Sequence, residues 1–436
     1  MLKLFSSRCG PIWLLLALTV APPALSSELG SVDFPTSGSP QAQAAFVEGV
    51  LWLHSFEYEV AREHFRRALE VEPGFVMATW GEAMTHNHPI WQRQYPEEGR
   101  AALARLAATR EERLAKAPTD RERRYLEAVE ILFGEGSKED RDLAYAEAMK
   151  TLSRDFPEDL EAASFYALAL LGTCHQGRDI PTYMRAAAIV EEVFARNPRH
   201  PGALHYLIHS YDDPIHAPLG LRAARLYAGI APAAEHALHM PSHVFLALGM
   251  WDETAASNED AFGAAEERVN RLHQESDRRG YHAMLWLHYA YLQQGRLREA
   301  RALLDSIQKD VETGGSARAR SHYVQMRAQD VVETRRWEAL RPAAAHDGLS
   351  DGIVATDLFA TGYAATYLGR LEEAKAVLAS LEALAAGAAE SAEKEPEVEV
   401  EVARLQLAGL IAIAERREAE GLNMLQQAVL EEERAP

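Results

Sequence analysis

From residue 42 to about residue 430, apolar residues recur at helical spacing in a background of Ala, Leu, Glu and Arg. Runs of alternating Val, Ile and Thr between turns, the mark of strands, are missing. The pattern predicts an all-α chain of short helices with a fixed internal grammar. Residues 42–73 display it: Gly49 and Trp52 on a first helix, Ala61, Phe65 and Ala68 on a second, and Pro73 as the stop. Small residues at the crossing let two helices approach closely, and the proline ends the second helix because it lacks the next backbone donor. The grammar returns with Pro198, with Pro232, and with Gly249, Trp251 and Ala261. It returns again from Gly295 to Ala300 with Leu304, from Gly369 to Ala374 with Leu378, and near Gly421 to Ala428.

These residues resemble the tetratricopeptide repeat (TPR), a helix–turn–helix unit of about 34 residues. The resemblance covers most of residues 42–430 and implies a right-handed α-solenoid of TPR-like hairpins with a concave face for partners. The block His200-Pro-Gly through His239-Met-Pro-Ser-His243, followed by Leu248-Gly249 and Trp251, resembles a signature of one subgroup of exported bacterial TPR proteins. The expected organisation is a leader at 1–26, a linker at 27–40, a solenoid at 41–383, an Ala/Glu linker at 384–400 and a last hairpin at 401–436. Insertions are expected near 88–118, where His88-Pro-Ile-Trp-Gln-Arg-Gln-Tyr-Pro96 is rich in aromatics and prolines, and near 269–280. Thr119 and Glu122 form a candidate capping box for a helix over Asp120–Phe133.

The leader is read from Lys3 and Arg8, an apolar run from Ile12 to Val20, and the small residues Ala24 and Ser26 two apart. It predicts an exported, periplasmic or secreted protein. Cleavage would remove Cys9 and leave Cys174 alone, so no disulfide forms within the mature chain. No later segment has the apolar length of a transmembrane helix. Charge narrows the partners. Asp and Glu outnumber Lys and Arg by 65 to 45, a net charge of −20, which disfavours nucleic acid and anionic membranes. A hydrophobic content of 47% excludes disorder along the whole length.

The chemistry concentrates in the histidines. Seven of the 17 fall between residues 200 and 243: His200, His205, His209, His216, His236, His239 and His243. His205 and His209 are four apart, as are His239 and His243, so each pair shares a helix face. The second pair follows the first by one repeat length, in a register set independently by Pro198 and Pro232. By resemblance, these repeat positions line the concave groove, with Asp212, Asp213, His216 and His236 beside them. Neighbouring helix axes pack at roughly 8–10 Å, so His205, His209, His239 and His243 could meet at one ion. Neutral imidazole suits zinc, copper, iron or nickel, and a carboxylate can orient a histidine. Pro241 is awkward inside a helix and makes the alignment of His239 with His243 approximate.

Three functions follow: an extracytoplasmic scaffold holding a peptide, protein or small ligand in its groove; a metal-dependent enzyme with Glu235, Asp212 or Asp213 as general base; or a periplasmic metal carrier. His282 and His322 would extend the groove lining, His288 falls at a packing position, and His86, His88 and Trp91 could form a rim. His54 lies near the groove end of its unit. His200, before Pro201, sits where a helix begins. A phosphate-binding glycine loop, a nucleophile elbow, a His-Glu-x-x-His helix and a Cys-x-x-Cys pair are all absent from the sequence.

Overall fold

A computed structural model describes residues 28–272, 279–390 and 398–434. The expected leader at 1–26 lies outside the described residues. The first hairpins are α1 (Pro40–His54) and α2 (Tyr58–Val71), then α3 (Val76–Met84), α4 (Pro96–Ala104), α5 (Arg110–Ala115), α6 (Asp120–Leu132) and α7 (Lys138–Asp155). The middle of the chain holds α8 (Leu160–Gly172), α9 (Ile180–Arg196), α10 (Pro201–Ser210), α11 (Ala217–Ile230), α12 (Glu235–His239), α13 (Pro241–Ala247) and α14 (Trp251–Leu272). The last part comprises α15 (Tyr281–Gln293), α16 (Leu297–Glu312), α17 (Ala317–Thr334), α18 (Asp351–Tyr367), α19 (Leu371–Glu390), α20 (Val398–Ala414) and α21 (Glu418–Arg434). Consecutive helices pack on one another along the chain, so the architecture is an all-α solenoid of helical hairpins.

One turn recurs where a first helix passes to a second. A residue with positive φ closes α1, α13, α15, α18 and α20: Phe56 (56°), Gly249 (68°), Gly295 (70°), Gly369 (73°) and Arg416 (67°). In each case the next N–H reaches five residues back, as Glu57 to Trp52 O at 3.1 Å and Met250 to Phe245 O at 2.8 Å. The same bond joins Arg296 to Tyr291, Arg370 to Ala365 and Arg417 to Ala412. This is the Schellman closure, which satisfies orphan carbonyls and lets the second helix begin two residues later. Glycine is the natural occupant because a Cβ opposes positive φ. Phe56 and Arg416 take the same conformation against that preference.

The continuous core runs from Leu29 to Phe245 and includes Phe46, Phe65, Trp80, Tyr125 and Phe165. Residues expected to form an N-terminal linker belong to it over their described part. Phe34 is buried against Phe46, Trp80 and Tyr125, and Ser31 N–H donates to Arg199 O at 2.9 Å. Apolar burial outweighs the freedom of a tether here. The insertion after α3 contains a short antiparallel bridge, β1 (Asn87–His88) with β2 (Arg93–Gln94), which the helical periodicity did not predict. Of the expected Ala/Glu linker, residues 384–390 continue α19 and 391–397 lie outside the described residues. Residues 273–278 of the second expected insertion also lie outside them. Thr119 Oγ1 accepts from Glu122 N–H at 3.2 Å, but the Glu122 carboxylate is engaged by Ser37 and the Thr119 hydroxyl. The reciprocal capping box forms instead at Thr109 and Glu112.

Candidate metal centre

Each histidine of the central block owes its place to a helix start. Pro201 occupies the first turn of α10, where its missing N–H costs nothing, and His200 Nδ1 accepts from Ala203 N–H at 3.1 Å. The resulting helix projects His205 and His209 to one side. Pro241 similarly opens α13, and Met240 joins it to α12 in helical geometry. His239 is therefore the last residue of α12, and it meets His243 across the junction.

The imidazoles form two trios rather than one group of four. In the first, His205 Nε2 lies 3.1 Å from both His209 Nε2 and His236 Nε2. In the second, His239 Nε2 lies 3.1 Å from His243 Nε2, and His282 from α15 completes the set. Within each trio the ligating atoms are all within 4.8 Å of one another. The two trios adjoin, with ring centroids 6.3 Å apart for His209–His243 and for His236–His239. The division follows from the short α12. His236 reaches back to α10, while His239, three residues on, faces α13 and α15.

The other nitrogens of three rings are held by oxygen. His205 Nδ1–H donates to the His54 carbonyl at 2.7 Å. His239 Nδ1–H donates to Asn258 Oδ1 at 2.7 Å, and Asn258 Nδ2 donates to Thr254 O, which sets the amide's orientation. His243 Nδ1–H donates to the Asp212 carboxylate at 2.7 Å. A neutral imidazole carries one proton, so these three rings turn lone pairs inward from Nε2. The Nε2 atoms of His239 and His243 are thus two acceptors facing each other, an arrangement that a cation between them relieves. Zinc-like N–metal bonds of about 2.0–2.1 Å place neighbouring ligand nitrogens roughly 3.3–3.6 Å apart, close to what the trios show.

Burial disfavours the protonated form at His205, His209, His236 and His239. His205 is held down at about 3 chiefly by desolvation, and His209, His236 and His239 lie well below the ordinary histidine value for the same first reason. The centre is graded: His205 and His239 are buried, His236 and His243 are half-buried, and His282 is exposed. Its walls are aromatic. Phe56 lies 4.2 Å from the His205 ring, Tyr227 stacks on the same ring at 5.3 Å, and Trp286 lies 4.3 Å from His243. Trp91, from the insertion, stands over His236 at 6.0 Å and packs edge-on to His88. His86 is buried.

The remaining sequence candidates divide clearly. Asp212 serves the second trio, whereas Asp213 faces away, binding Arg178 and the side chain and N–H of His216. His216 belongs to neither trio. Glu235 is pushed up to about 7 by burial, although Arg268 pairs with it at 2.7 Å. His322 extends the line of rings, 6.3 Å from His282, and His288 is a buried packing residue. His282 was visible in sequence only as a groove position, because the insertion before it breaks the repeat spacing.

A third cluster, His54, Glu161 and His200, was not read from the sequence. Its members lie on α1, α8 and beside α10, and only folding brings them together. Here every ligating atom is already engaged. His200 Nδ1 accepts from Ala203, so its Nε2–H donates to Glu161 at 3.0 Å. His54 Nε2–H donates to the other carboxylate oxygen at 2.6 Å, and its Nδ1 accepts from Tyr206 Oη–H at 2.8 Å. Burial would raise the Glu161 carboxyl, but His200 and His54 overcome it and hold it at about 2. This is a satisfied polar network that supports the centre through the His54 carbonyl. The packing is tight: a Cβ on Gly202 would lie 2.3 Å from His54 Nδ1.

No protein-family model and no curated protein matches the chain. Solved structures that match include yeast Tom70, at 8% identity over 89% of this chain and 84% of that one, with a TM-score of 0.39. A Rap protein complexed with competence and sporulation factor matches at 13% identity over 89% of this chain and 100% of that one, TM-score 0.35. A human IFIT1 dimer with PPP-AAAA matches at 15% identity over 89% and 72%, TM-score 0.35. The TPR-like solenoid rests on the chain's own hairpins and recurrent turns. No described helix is long and apolar enough to cross a membrane.

Proposed function

We propose that the chain is an exported helical-hairpin scaffold whose working part is a six-histidine transition-metal centre, a pair of adjoining tri-imidazole sites open to the groove. The observation that carries this reading is the facing of His239 Nε2 and His243 Nε2 at 3.1 Å while both Nδ1–H groups are committed to oxygen. Anchoring of ligand histidines by carbonyl and carboxylate acceptors is the usual support for a bound metal. The half-exposed Trp91 beside His236 offers an organic ligand, peptide or protein a contact next to the metal. Export rests on the leader pattern of residues 1–26.

Zinc, copper, iron and nickel all fit imidazole donors. Elemental analysis of the purified mature chain tests the proposal, with His205→Ala and His243→Ala each removing one member of one trio. Two ions per chain, falling to one in either variant, is the expected result. Substoichiometric metal that both variants leave unchanged would reduce the chain to a scaffold with a histidine-lined groove.

A further inference from the structure

The two trios share features that single out one use. Neither contains a carboxylate; the donors are six imidazoles. The Asp212 carboxylate touches the centre only through the far side of His243. Two divalent ions would therefore put four positive charges into a largely desolvated pocket with no anionic ligand, a costly arrangement. Two univalent ions halve that charge. Three nitrogen donors around each ion also match the preference of the filled d shell of Cu(I) for three-coordination. The trios meet through His209–His243 and His236–His239, both at 6.3 Å between ring centroids, and each includes a half-buried histidine, His236 and His243. Phe56 and Trp286 wall the two trios with apolar rings.

We propose that the six histidines form a coupled dicopper site that takes dioxygen between its ions. The inference rests on the metal reading above and adds the ion, the coupling and the ligand. In the step, each Cu(I) gives one electron and dioxygen accepts both. The O–O bond order falls from two to one, and peroxide lies bound between two Cu(II) ions. No proton is needed. The total charge of ions and ligand is +2 before and +2 after, so a pocket of fixed neutral donors serves both states without rearrangement. Release of dioxygen reverses the step.

The full mature chain is loaded with Cu(I) without oxygen, its copper is counted, and it is then exposed to dioxygen while absorption and electron paramagnetic resonance are recorded. The expected result is two coppers per chain, a near-ultraviolet charge-transfer band that appears with dioxygen, and little or no Cu(II) resonance because the two spins couple. His209→Ala and His282→Ala each cut the copper from two to one, abolish the band and leave one fully visible Cu(II) after oxidation. Far-ultraviolet circular dichroism checks that both variants keep their helices. Two coppers whose Cu(II) spins are both fully visible overturn the coupling, and retention of zinc with no uptake of Cu(I) overturns the choice of ion. Both outcomes leave the metal reading standing. Failure to hold any transition metal removes the two together.

Discussion

The Asp212 carboxylate accepts the Nδ1 proton of His243 at 2.7 Å, across the gap between the end of α10 and α13. That bond fixes which nitrogen of His243 is free and points it at His239. Its neighbour Asp213 is spent otherwise, on the backbone N–H groups of Ile215 and His216 and on Arg178. Two adjacent acids thus divide between the centre and the start of α11.

Asp212→Asn keeps an acceptor but loses its charge. Loss of such an anchor costs about 10–100-fold in metal affinity. Competition with a chelator of known affinity should show one ion weakened by that factor and the ion of His205, His209 and His236 unaffected. Equal weakening of both ions would contradict the assignment of Asp212 to the second trio.

Gly202 is required by the approach of α10 to His54. Gly202→Ala places a methyl carbon 2.3 Å from His54 Nδ1 with no free space to yield. Overpacking of this kind costs about 1–3 kcal/mol. It also displaces the carbonyl that orients His205. Urea unfolding of the metal-free chain should show the loss. Gly229→Ala on α11 is the control: nothing lies within 4 Å of its added carbon, and stability should be unchanged or rise by up to about 1 kcal/mol.

Much of the centre could be seen in the sequence. The four-residue spacing of His205 with His209, and of His239 with His243, survives folding because both pairs lie on or across helical turns. The Gly turns at 249, 295 and 369 were equally visible. Phe56 was hidden, since nothing in its identity announces a positive φ, and Arg416 likewise. The split into two trios depends on the direction α12 takes before Pro241 and on His282 arriving from beyond an insertion. Repeat spacing records neither. Glu161 could not be paired with His54 and His200 because the contacts span 107 and 39 residues between separate helices.

The His54–Glu161–His200 network should behave as structure and not as a metal site. Glu161→Gln turns one acceptor oxygen into an N–H₂ group facing a histidine N–H. Leaving a buried donor without its acceptor costs about 1–3 kcal/mol. Calorimetry should show that loss, while the folded variant at low temperature should still hold two metal ions. A drop to fewer ions with unchanged stability would make Glu161 a ligand.

His288 supplies a pH test away from the centre. Burial lowers it to about 4, below its unfolded value of 6.5. As pH falls below 6.5 the unfolded chain takes the proton first, so stability present above 6.5 is lost down to about pH 4. His288→Leu removes that loss. Relative to wild type, the metal-free variant should gain about 2 kcal/mol on going from pH 8 to pH 5, given about 1.4 kcal/mol per pH unit per proton. Parallel stability curves for the two chains would show that His288 titrates normally.

Anomalous diffraction at the metal absorption edge, from crystals of the metal-loaded mature chain, tests the centre most directly. The account predicts two peaks, one about 2.0–2.1 Å from the Nε2 atoms of His205, His209 and His236, the other equally placed among His239, His243 and His282. A single peak shared by the four histidines of the two four-residue pairs, or metal only at surface carboxylates, would contradict it.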